Sequence, residues 1–367
     1  MKLINQSAQY LAQEPGIDGV YKAIELAGRT SYLSWDKMTD VVSFDLNTLP
    51  KNITVDDIPD YKLHPKECIR FLDDNKISYH VVGSSKKFVD MLIKSKHTSV
   101  LENCAIYLKD SYDVSALGSW RISLGEKYSR NPYSKVDVDD NMDFKGIYIT
   151  TNLRVLYENG WLDDLEYLCE PTKFHEKRLS VKVITSRSIS HELVRHRSMS
   201  FIQESQRYVG YDNRFGEITY IKPSWMWHNV PCGTVYYHDG INYRIMPDEN
   251  KPEDFISIKP GNDFTEEEAI RLTDFFRALN NAEYSYKKLK KDGLKSQEAR
   301  EVLPNATKTT LVITAFESDW REWFSQRLFG KTGEPHPQMK QLAELIKQEF
   351  EKAGVWEGIM KYPSKYE

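Results

Sequence analysis

A cluster of basic side chains lies between Arg187 and Arg207 and comprises four arginines and two histidines. The same window contains only two acids, Glu192 and Glu204, and several of its cations stand among apolar residues. Like charges near a core cost free energy unless an anion or an acid compensates them. A phosphate-bearing ligand would compensate them, because the planar guanidinium matches phosphate oxygens. A solvated helix face with glutamate partners is the alternative, and composition alone leaves both interpretations open.

The bulk composition is that of an ordinary globular protein: 367 residues, of which 40% are hydrophobic and 28% charged. Proteins that bind the nucleic-acid backbone usually carry an excess of positive charge, whereas this chain has a net charge of -4. We therefore expect no nucleic-acid partner. No run approaches the roughly 20 apolar residues that span a bilayer, and no signal-peptide stretch is evident. We therefore expect a cytoplasmic protein with no membrane partner.

Several common motifs for metal and nucleotide sites are incomplete or absent in this sequence. The cysteines are scattered without a CxxC pair, which predicts reduced thiols and neither disulfides nor a zinc site. His191–Arg195 lacks the second histidine of the HExxH zinc motif, and Gly330–Thr332 lacks the first glycine of a P-loop. No GxG occurs, so the Rossmann fingerprint is absent. We expect no metal and no Rossmann domain.

Hydrophobic spacing and turn residues predict an α+β protein without an evident linker between domains. The predicted helices cover 17–29, Phe88–Lys96, the residues after a Thr265/Glu268 capping box, and a final stripe from Met339 to Phe350 that Gly354 ends. Helical stretches are also predicted within Thr151–Cys169 and within Lys173–His196, and the second carries an apolar stripe of Ile189, Leu193 and Val194. Strands are predicted over Val100–Leu108 and, with turns, over 210–262, whereas 36–66 and 130–146 are predicted to be mostly loop.

The segment after the basic cluster makes the interpretation more specific. Arg195-His196-Arg197, seven further residues and Ser205 resemble the RHR-x7-S signature of the flavin-dependent thymidylate synthases. Further segments resemble this family in the family's order: Gly28–Tyr32, His97–Glu102, Thr151–Arg154, Arg187–Arg197, Ala299–Pro304, and Trp320 to Arg327 followed by His336–Met339. Chance agreement in one short motif is easy, but agreement in several ordered ones is not.

The resemblance implies a fold of the thymidylate-synthase-complementing type, a single domain with helices around a mostly antiparallel sheet. The chain is longer than compact family members, and the excess falls near 36–86, 110–150 and 210–262, which are expected to be surface insertions. Such long forms resemble viral or phage versions, for which the location would be the host cytoplasm. The family implies a homotetramer whose active sites are shared between subunits.

The activity implied by the resemblance is reductive methylation of dUMP to dTMP. Methylenetetrahydrofolate supplies the methylene, and FAD, reduced by NADPH, supplies the hydride. By resemblance Arg327 is the catalytic residue at the pyrimidine edge, where a fixed guanidinium can stabilise negative charge on the ring oxygens.

Other residues are assigned to ligands by the same resemblance. The expected nucleotide contacts are Glu192, Arg195, Gln203, Glu204, Ser205, Gln206, Arg207, Arg300 and Arg327. The expected flavin contacts are Ser31, Ser99, Glu102, Arg195, His196, Arg197, Gln203 and Glu322. Gln203 stands where some members have glutamate, which favours a neutral hydrogen-bonding role, and Glu204 is alternatively a salt-bridge partner. No base is evident beside Ser205, so we assign it to binding and not to nucleophilic attack.

Three positions depart from the family pattern. Asn103 replaces a common histidine, and Phe316 and Ser318 replace an asparagine and an arginine that face the flavin in some members. Two other functions therefore stay open. One is a nucleotide- or RNA-binding protein that uses the arginines without catalysis, and the other is a catalytically inactive relative. The intact Arg207, Arg300 and Arg327 count against the second.

Overall fold

The structure, a computed structural model, describes residues 1–44, 49–50, 53–54, 57–59, 65–77, 79–113, 124–140, 144–211, 217–226, 230–238, 242–248, 255–261 and 263–366. The chain forms two compact units. The first combines Met1–Ala12 with Glu176–Glu367, and the second is Gln13–His175. The expectation that the whole chain behaves as one domain stays a prediction.

Strands and helices occur in both units. The strands are β1 (Lys2–Ile4), β2 (Ser7–Leu11), β3 (Asp40–Phe44), β4 (Tyr79–Gly83), β5 (Ile106–Asp113), β6 (Lys135–Asp140), β7 (Phe144–Thr151), β8 (Arg178–Ser186), β9 (Ser200–Gln203), β10 (Thr219–Ile221), β11 (Gly233–His238), β12 (Asn242–Pro247), β13 (Ile256–Ile258) and β14 (Lys308–Phe316). The helices are α1 (Gly16–Thr30), α2 (Pro65–Asp74), α3 (Ser84–Lys94), α4 (Leu124–Ser129), α5 (Leu153–Asn159), α6 (Arg187–Leu193), α7 (Glu266–Lys291), α8 (Ser296–Ala299), α9 (Glu317–Arg327), α10 (Pro337–Lys352) and α11 (Trp356–Met360).

The sheets confirm the predicted class of helices with mostly antiparallel strands. The first unit has a four-stranded sheet in the order β2-β8-β14-β9 and a five-stranded sheet in the order β10-β1-β11-β12-β13. The second unit has the sheet β5-β7-β6 and the pair β3-β4. The β1–β10 pair is parallel, and every other pair in these sheets is antiparallel.

The four-stranded sheet organises the core of the first unit. Its central strand β14 is rich in Thr, Val and Ile and almost wholly buried, as expected of a strand covered on both faces. Helices α9 and α10 pack in this core through large aromatic side chains that are fully buried: Trp320, Trp323, Phe324 and Phe350. Strand β8 leads directly into α6, and β14 leads directly into α9. The sheet therefore fixes where these two helices begin.

Helix α7 begins and ends as the sequence predicts. The Thr265 hydroxyl accepts a hydrogen bond from the Glu268 backbone N–H at 3.3 Å, and the Glu268 carboxylate accepts one from the Thr265 backbone N–H at 2.8 Å. This reciprocal pair satisfies two donors that the first turn of a helix leaves free. At the other end, Gly293 adopts a positive φ of 97°, which allows the chain to leave the helix.

We predict that Thr265→Ala lowers the free energy of unfolding by about 1 kcal/mol, because the variant loses the hydroxyl that caps α7. Thr265→Ser keeps an equivalent hydroxyl and serves as the matched control. Chemical denaturation of both variants checks the prediction. Equal stability of the alanine and serine variants would contradict it.

The second unit corrects one prediction from the sequence. The polar stretch 130–146 is not a loop, because it contains β6 and the start of β7. Val136 pairs with Ile149 and Val138 with Ile147. Hydrogen bonding to β7 therefore stabilises a strand that the acidic composition of this stretch does not predict.

Element boundaries differ from the predictions elsewhere. The strand predicted from Val100 begins only at Ile106, because Thr98–Glu102 forms a 3-10 turn. Helices α1, α3 and α10 confirm predicted helices, but α10 is followed by the short α11 and is not the last helix.

The three stretches predicted as surface insertions contain regular structure. Part of each stretch lies outside the described residues, but α2, β3 and β4 lie in the first, β6 and most of β7 in the second, and β10 to β13 in the third. The strands of the third stretch confirm the prediction for 210–262. Whether the three stretches are insertions stays a prediction. No helix in the described part of the chain is long and apolar enough to cross a membrane.

Candidate active site

Helix α6 brings the signature segment to the surface of the first unit. The Ser186 hydroxyl caps it by accepting the Ile189 backbone N–H at 3.4 Å. Ile189 and Leu193 are fully buried and fix the face that packs on the core. Val194, which the predicted apolar stripe included, is 43% exposed, so that part of the prediction is wrong. The chain has already left α6 at this position and turns toward solvent.

Arg327 meets the signature segment from the last turn of α9. Its Nε donates to His196 Nε2 at 3.1 Å, and its Nη1 lies 3.4 Å from Glu192 Oε2. The two contacts join residues 131 and 135 positions apart in sequence. The guanidinium side chain is 20% exposed. The structure therefore holds the predicted catalytic arginine between a carboxylate and an imidazole at the edge of the unit.

His196 is neutral in this arrangement. Arginine can only donate, so His196 Nε2 must accept and the ring proton must sit on Nδ1. Burial and, secondly, the positive charge of Arg327 lower the pKa of His196 to about 4. The ring also lies edge-on to Trp323, with centroids 6.5 Å apart. His196 is a predicted flavin contact, and its Nε2 already accepts a hydrogen bond that orients Arg327.

The low pKa of His196 predicts a pH-dependent stability. Unfolded histidine has a pKa near 6.5, against about 4 when folded, so protons bind the unfolded state preferentially between these values. The stability of the fold with neutral His196 is therefore fully present above about pH 6.5 and falls as the pH drops toward 4. We expect the melting temperature of His196→Gln to fall less than that of the parent between pH 7 and pH 5. Equal falls would contradict the assignment.

Gln203 occupies a neutral hydrogen-bonding position at the end of β9. Its Nε2 donates to the Ser190 hydroxyl at 2.9 Å and to the Thr309 hydroxyl at 3.1 Å. These contacts link the residue to α6 and β14, and they agree with the neutral role expected of a glutamine at this position.

Glu204 is an internal ion-pair partner. Its side chain is completely buried, and Oε2 lies 2.6 Å from Lys308 Nζ and 3.1 Å from the Thr310 backbone nitrogen. The Tyr211 hydroxyl donates to Oε1 at 3.2 Å. The salt-bridge alternative from the sequence is therefore what the structure shows, although the nucleotide contact expected of this residue stays a prediction.

The residues after Glu204 form a turn that displays an arginine. The Ser205 hydroxyl accepts the Arg207 backbone N–H at 3.3 Å, and the Ser205 carbonyl accepts the Val209 backbone N–H at 3.0 Å. Gln206 is half-buried near the Tyr211 hydroxyl. Arg207 is exposed, with its guanidinium 5.3 Å from the Tyr208 ring centroid. The turn can present a cation and polar groups to an anionic ligand.

Arg187 is a site residue that sequence reasoning left unassigned, although it opens the basic cluster. Its Nη2 donates to the Glu204 carbonyl at 2.8 Å. Burial lowers its pKa, opposed by the phenol of Tyr211 and the carboxylate of Glu204, and the charge of Arg300 acts in the same direction as burial. Arg300 therefore lies close enough to Arg187 for the two positive charges to repel each other. Its own Nε is 3.8 Å from Glu301, and its side chain is 37% exposed.

The remaining predicted residues of the first unit lie at its surface. Arg195 and Arg197 are exposed. Glu322 on α9 is half-buried and accepts the Lys365 backbone N–H at 2.6 Å. Within the described residues, no group of three or more histidine, cysteine, aspartate or glutamate side chains is arranged to hold a metal ion.

Three predicted flavin contacts, Ser31, Ser99 and Glu102, belong to the second unit. Ser31 follows α1, and the other two lie in the 3-10 turn before β5, where Ser99 is exposed. Glu102 pairs with Arg154, which also donates to Glu158 at 2.8 Å.

A small cavity of about 270 Å³ is lined by Glu102 and Arg154. Thr98 completes the network beside it by donating to Glu158 at 2.7 Å. Arg154 thus links the His97–Glu102 segment to α5, and both Arg154 and Glu102 belong to segments that resemble the family.

A family model described as thymidylate synthase complementing protein matches residues 167–353, half of the chain. The chain belongs to this family. The match contains every predicted site residue of the first unit, from Glu192 to Arg327. Ser31, Ser99 and Glu102 lie outside it.

Curated relatives agree with this family. The chain is 28% identical over 142 residues to a flavin-dependent thymidylate synthase of Geobacter sulfurreducens, covering 39% of this chain and 44% of the relative. Proteins of the same name from Mycobacteroides abscessus and Corynebacterium efficiens are 28% and 30% identical over 148 residues, 39% of this chain and 46% of each relative. The chain thus matches less than half the length of each.

Among solved structures, the chain is similar to the UMP/dUMP methylase PolB from Streptomyces cacaoi. The structure bound with 5-Br dUMP gives a TM-score of 0.35 at 19% identity, covering 50% of this chain and 70% of that one. The structure bound with 5-Br UMP gives a TM-score of 0.35 at 20% identity, covering 50% and 72%.

Proposed function

We propose that this protein is a flavin-dependent thymidylate synthase that converts dUMP to dTMP. The methylene comes from methylenetetrahydrofolate, and NADPH is the reductant. The observation that supports the proposal most directly is the guanidinium of Arg327, held by His196 and Glu192 inside the segment that matches the family.

Arg327 is proposed to act on the uracil ring of dUMP. Carbon C5 of uracil is a weak nucleophile, and it becomes stronger when negative charge on the ring oxygens is stabilised. A guanidinium can do this without accepting a proton, because it keeps its charge at neutral pH. His196 and Glu192 restrict the orientation of that guanidinium, so less reorganisation is needed when charge develops on the ring.

The nucleotide phosphate is proposed to bind at Arg207 and Arg300. Both guanidiniums are at least partly exposed, and the neighbouring Ser205 and Gln206 offer hydroxyl and amide donors. Glu192, Gln203 and Arg195 are proposed as further nucleotide contacts. This arrangement would place a local cationic site on a chain whose net charge is negative, as an anionic substrate requires.

The two exposed arginines of the signature, Arg195 and Arg197, carry the positive charge that an anionic dinucleotide such as FAD would bind. Among the described residues, no carboxylate lies within ion-pair distance of Arg195 or Arg197. They are proposed to contact FAD, as are His196, Gln203 and Glu322 of the same unit. Ser31, Ser99 and Glu102 are separately proposed as flavin contacts of the second unit. Bound FAD would supply the hydride that completes the methyl group.

The proposed assembly is a homotetramer in the cytoplasm, with folate and nucleotide bound at sites shared between subunits. A shared site predicts that the monomer is inactive. Dilution followed by light scattering and assay tests this, and an active monomer would refute the shared site.

One experiment tests the activity. The purified protein should be yellow, with about one flavin per chain, and should oxidise NADPH with methylenetetrahydrofolate only when dUMP is present, yielding dTMP. A flavin-containing protein that shows neither a dUMP effect nor dTMP would indicate an inactive relative. A colourless protein with salt-sensitive RNA affinity would indicate a binding protein instead.

A further inference from the structure

Glu204 stands at the junction between β9 and the turn that displays Arg207. Its backbone N–H donates to the Thr310 carbonyl at 2.8 Å, and its carboxylate accepts the Thr310 N–H in return. The side chain thus continues the β9–β14 ladder one step beyond the last strand residue. Lys308 compensates its charge at 2.6 Å. The residue that precedes the turn is therefore tied to β14, which is almost wholly buried.

Tyr211 ties the other end of the same turn. Its ring is buried and lies edge-on to Tyr286, with centroids 5.8 Å apart. Its hydroxyl donates to Glu204 Oε1 at 3.2 Å, across seven positions of sequence. Between these two anchored residues, Ser205 and Val209 close the turn through a 3.0 Å backbone bond, while Arg207 and Tyr208 remain exposed.

We propose that Glu204 and Tyr211 form a clasp, defined here as their carboxylate–phenol hydrogen bond, that presets the Ser205–Arg207 turn for the phosphate of dUMP. They are positioning residues, since the proposal gives phosphate contact to Arg207 and Ser205. The proposal rests on the proposed function, because it takes the anionic ligand of the turn to be dUMP.

The clasp should act on binding and not on the chemical step. Ordering a loop before the ligand arrives removes that entropic cost from the binding free energy. The proposed catalytic group, Arg327, is held separately by His196 and Glu192, and neither residue hydrogen-bonds to Glu204 or Tyr211 in the described structure. Loosening the turn therefore weakens dUMP binding while a saturated enzyme still turns over.

Tyr211→Phe removes the clasp hydroxyl and keeps the ring, and Glu204→Gln keeps the shape and removes the charge. Tyr128→Phe is the matched control. Tyr128 is fully buried in the second unit, and its hydroxyl donates to a carboxylate oxygen of Asp164 at 2.7 Å. Each single variant should keep its FAD and weaken dUMP binding about tenfold in calorimetric titration, and Tyr211→Phe should keep kcat at saturating dUMP within about twofold. The double variant should weaken dUMP binding by less than the product of the two single effects, because the one bond that the two residues share can be lost only once.

Amide exchange measures the turn itself without any ligand. Exchange of the peptide containing Arg207–Val209 should be about tenfold faster in Tyr211→Phe than in the parent and unchanged in Tyr128→Phe. Unchanged exchange, or a lower kcat with an unchanged dissociation constant for dUMP, would overturn the clasp. If the parent binds no dUMP while exchange still responds to Tyr211→Phe, the clasp holds the turn but the proposed function fails.

Discussion

If the proposed function holds, replacing Arg327 by alanine should lower dTMP formation by at least about a hundredfold, and the protein should keep its bound FAD. A preorganised charge aimed at a developing oxyanion contributes roughly 10²–10³ in rate, and the alanine variant loses that contribution entirely. Arg327 is paired with His196 and Glu192; the first is neutral and the second is an acid, so neither partner can supply the positive charge that the alanine variant loses. The measurement is dTMP yield per flavin at saturating dUMP, together with the visible spectrum.

Two further variants make this result specific. Arg327→Lys keeps a positive charge but loses the planar fork, so it should recover only part of the activity. Arg271→Ala removes an exposed arginine on α7, paired with Glu267, and should leave activity unchanged. Loss of flavin from Arg327→Ala, or activity equal to the parent, would show that Arg327 does not act on the pyrimidine.

Replacing Phe350 by alanine lowers the free energy of unfolding by about 3–5 kcal/mol. Phe350 is fully buried on α10, and its ring lies 5.1 Å from that of Trp320 and 5.9 Å from that of Tyr10. Truncation leaves a cavity where α10 packs on the four-stranded sheet, and rigid aromatic neighbours cannot collapse into it fully. Chemical denaturation measures the loss, which is large against the 5–15 kcal/mol typical of folded proteins.

The matched control is Phe329→Ala, a phenylalanine in the same unit that is 43% exposed. Its truncation removes little buried surface and should cost below about 1 kcal/mol. Similar losses for both variants would mean that Phe350 does not anchor α10 to the core.

The sequence alone determined the elements that depend on interactions between residues a few positions apart. The capping box of Thr265 and Glu268, and the helix over 17–29, depend on residues within a few positions of each other, so they could be predicted. The RHR-x7-S spacing likewise identified the segment around Arg195–Ser205, which lies inside the family match.

Tertiary structure decided the elements that need a partner. The acidic stretch 130–146 forms β6 because β7 offers a pairing edge, which composition cannot reveal. Val194 leaves the apolar face because α6 ends before it, and Ile106 starts its strand late because a 3-10 turn precedes it. Long-range pairing overrides local preference in the first case, whereas the end of α6 and the 3-10 turn set the boundaries in the other two.

The same division holds for the candidate site. The sequence supplied Arg327, His196 and Glu204 as residue types, and it left Glu204 open between a nucleotide contact and a salt bridge. Only the fold showed that His196 is a neutral acceptor for Arg327, since 131 positions separate them. Only the fold paired Glu204 with the ammonium group of Lys308, 104 positions away. A charge becomes catalytic, structural or ligand-binding according to the groups that burial brings beside it, and those neighbours are set by the packing of distant strands and helices.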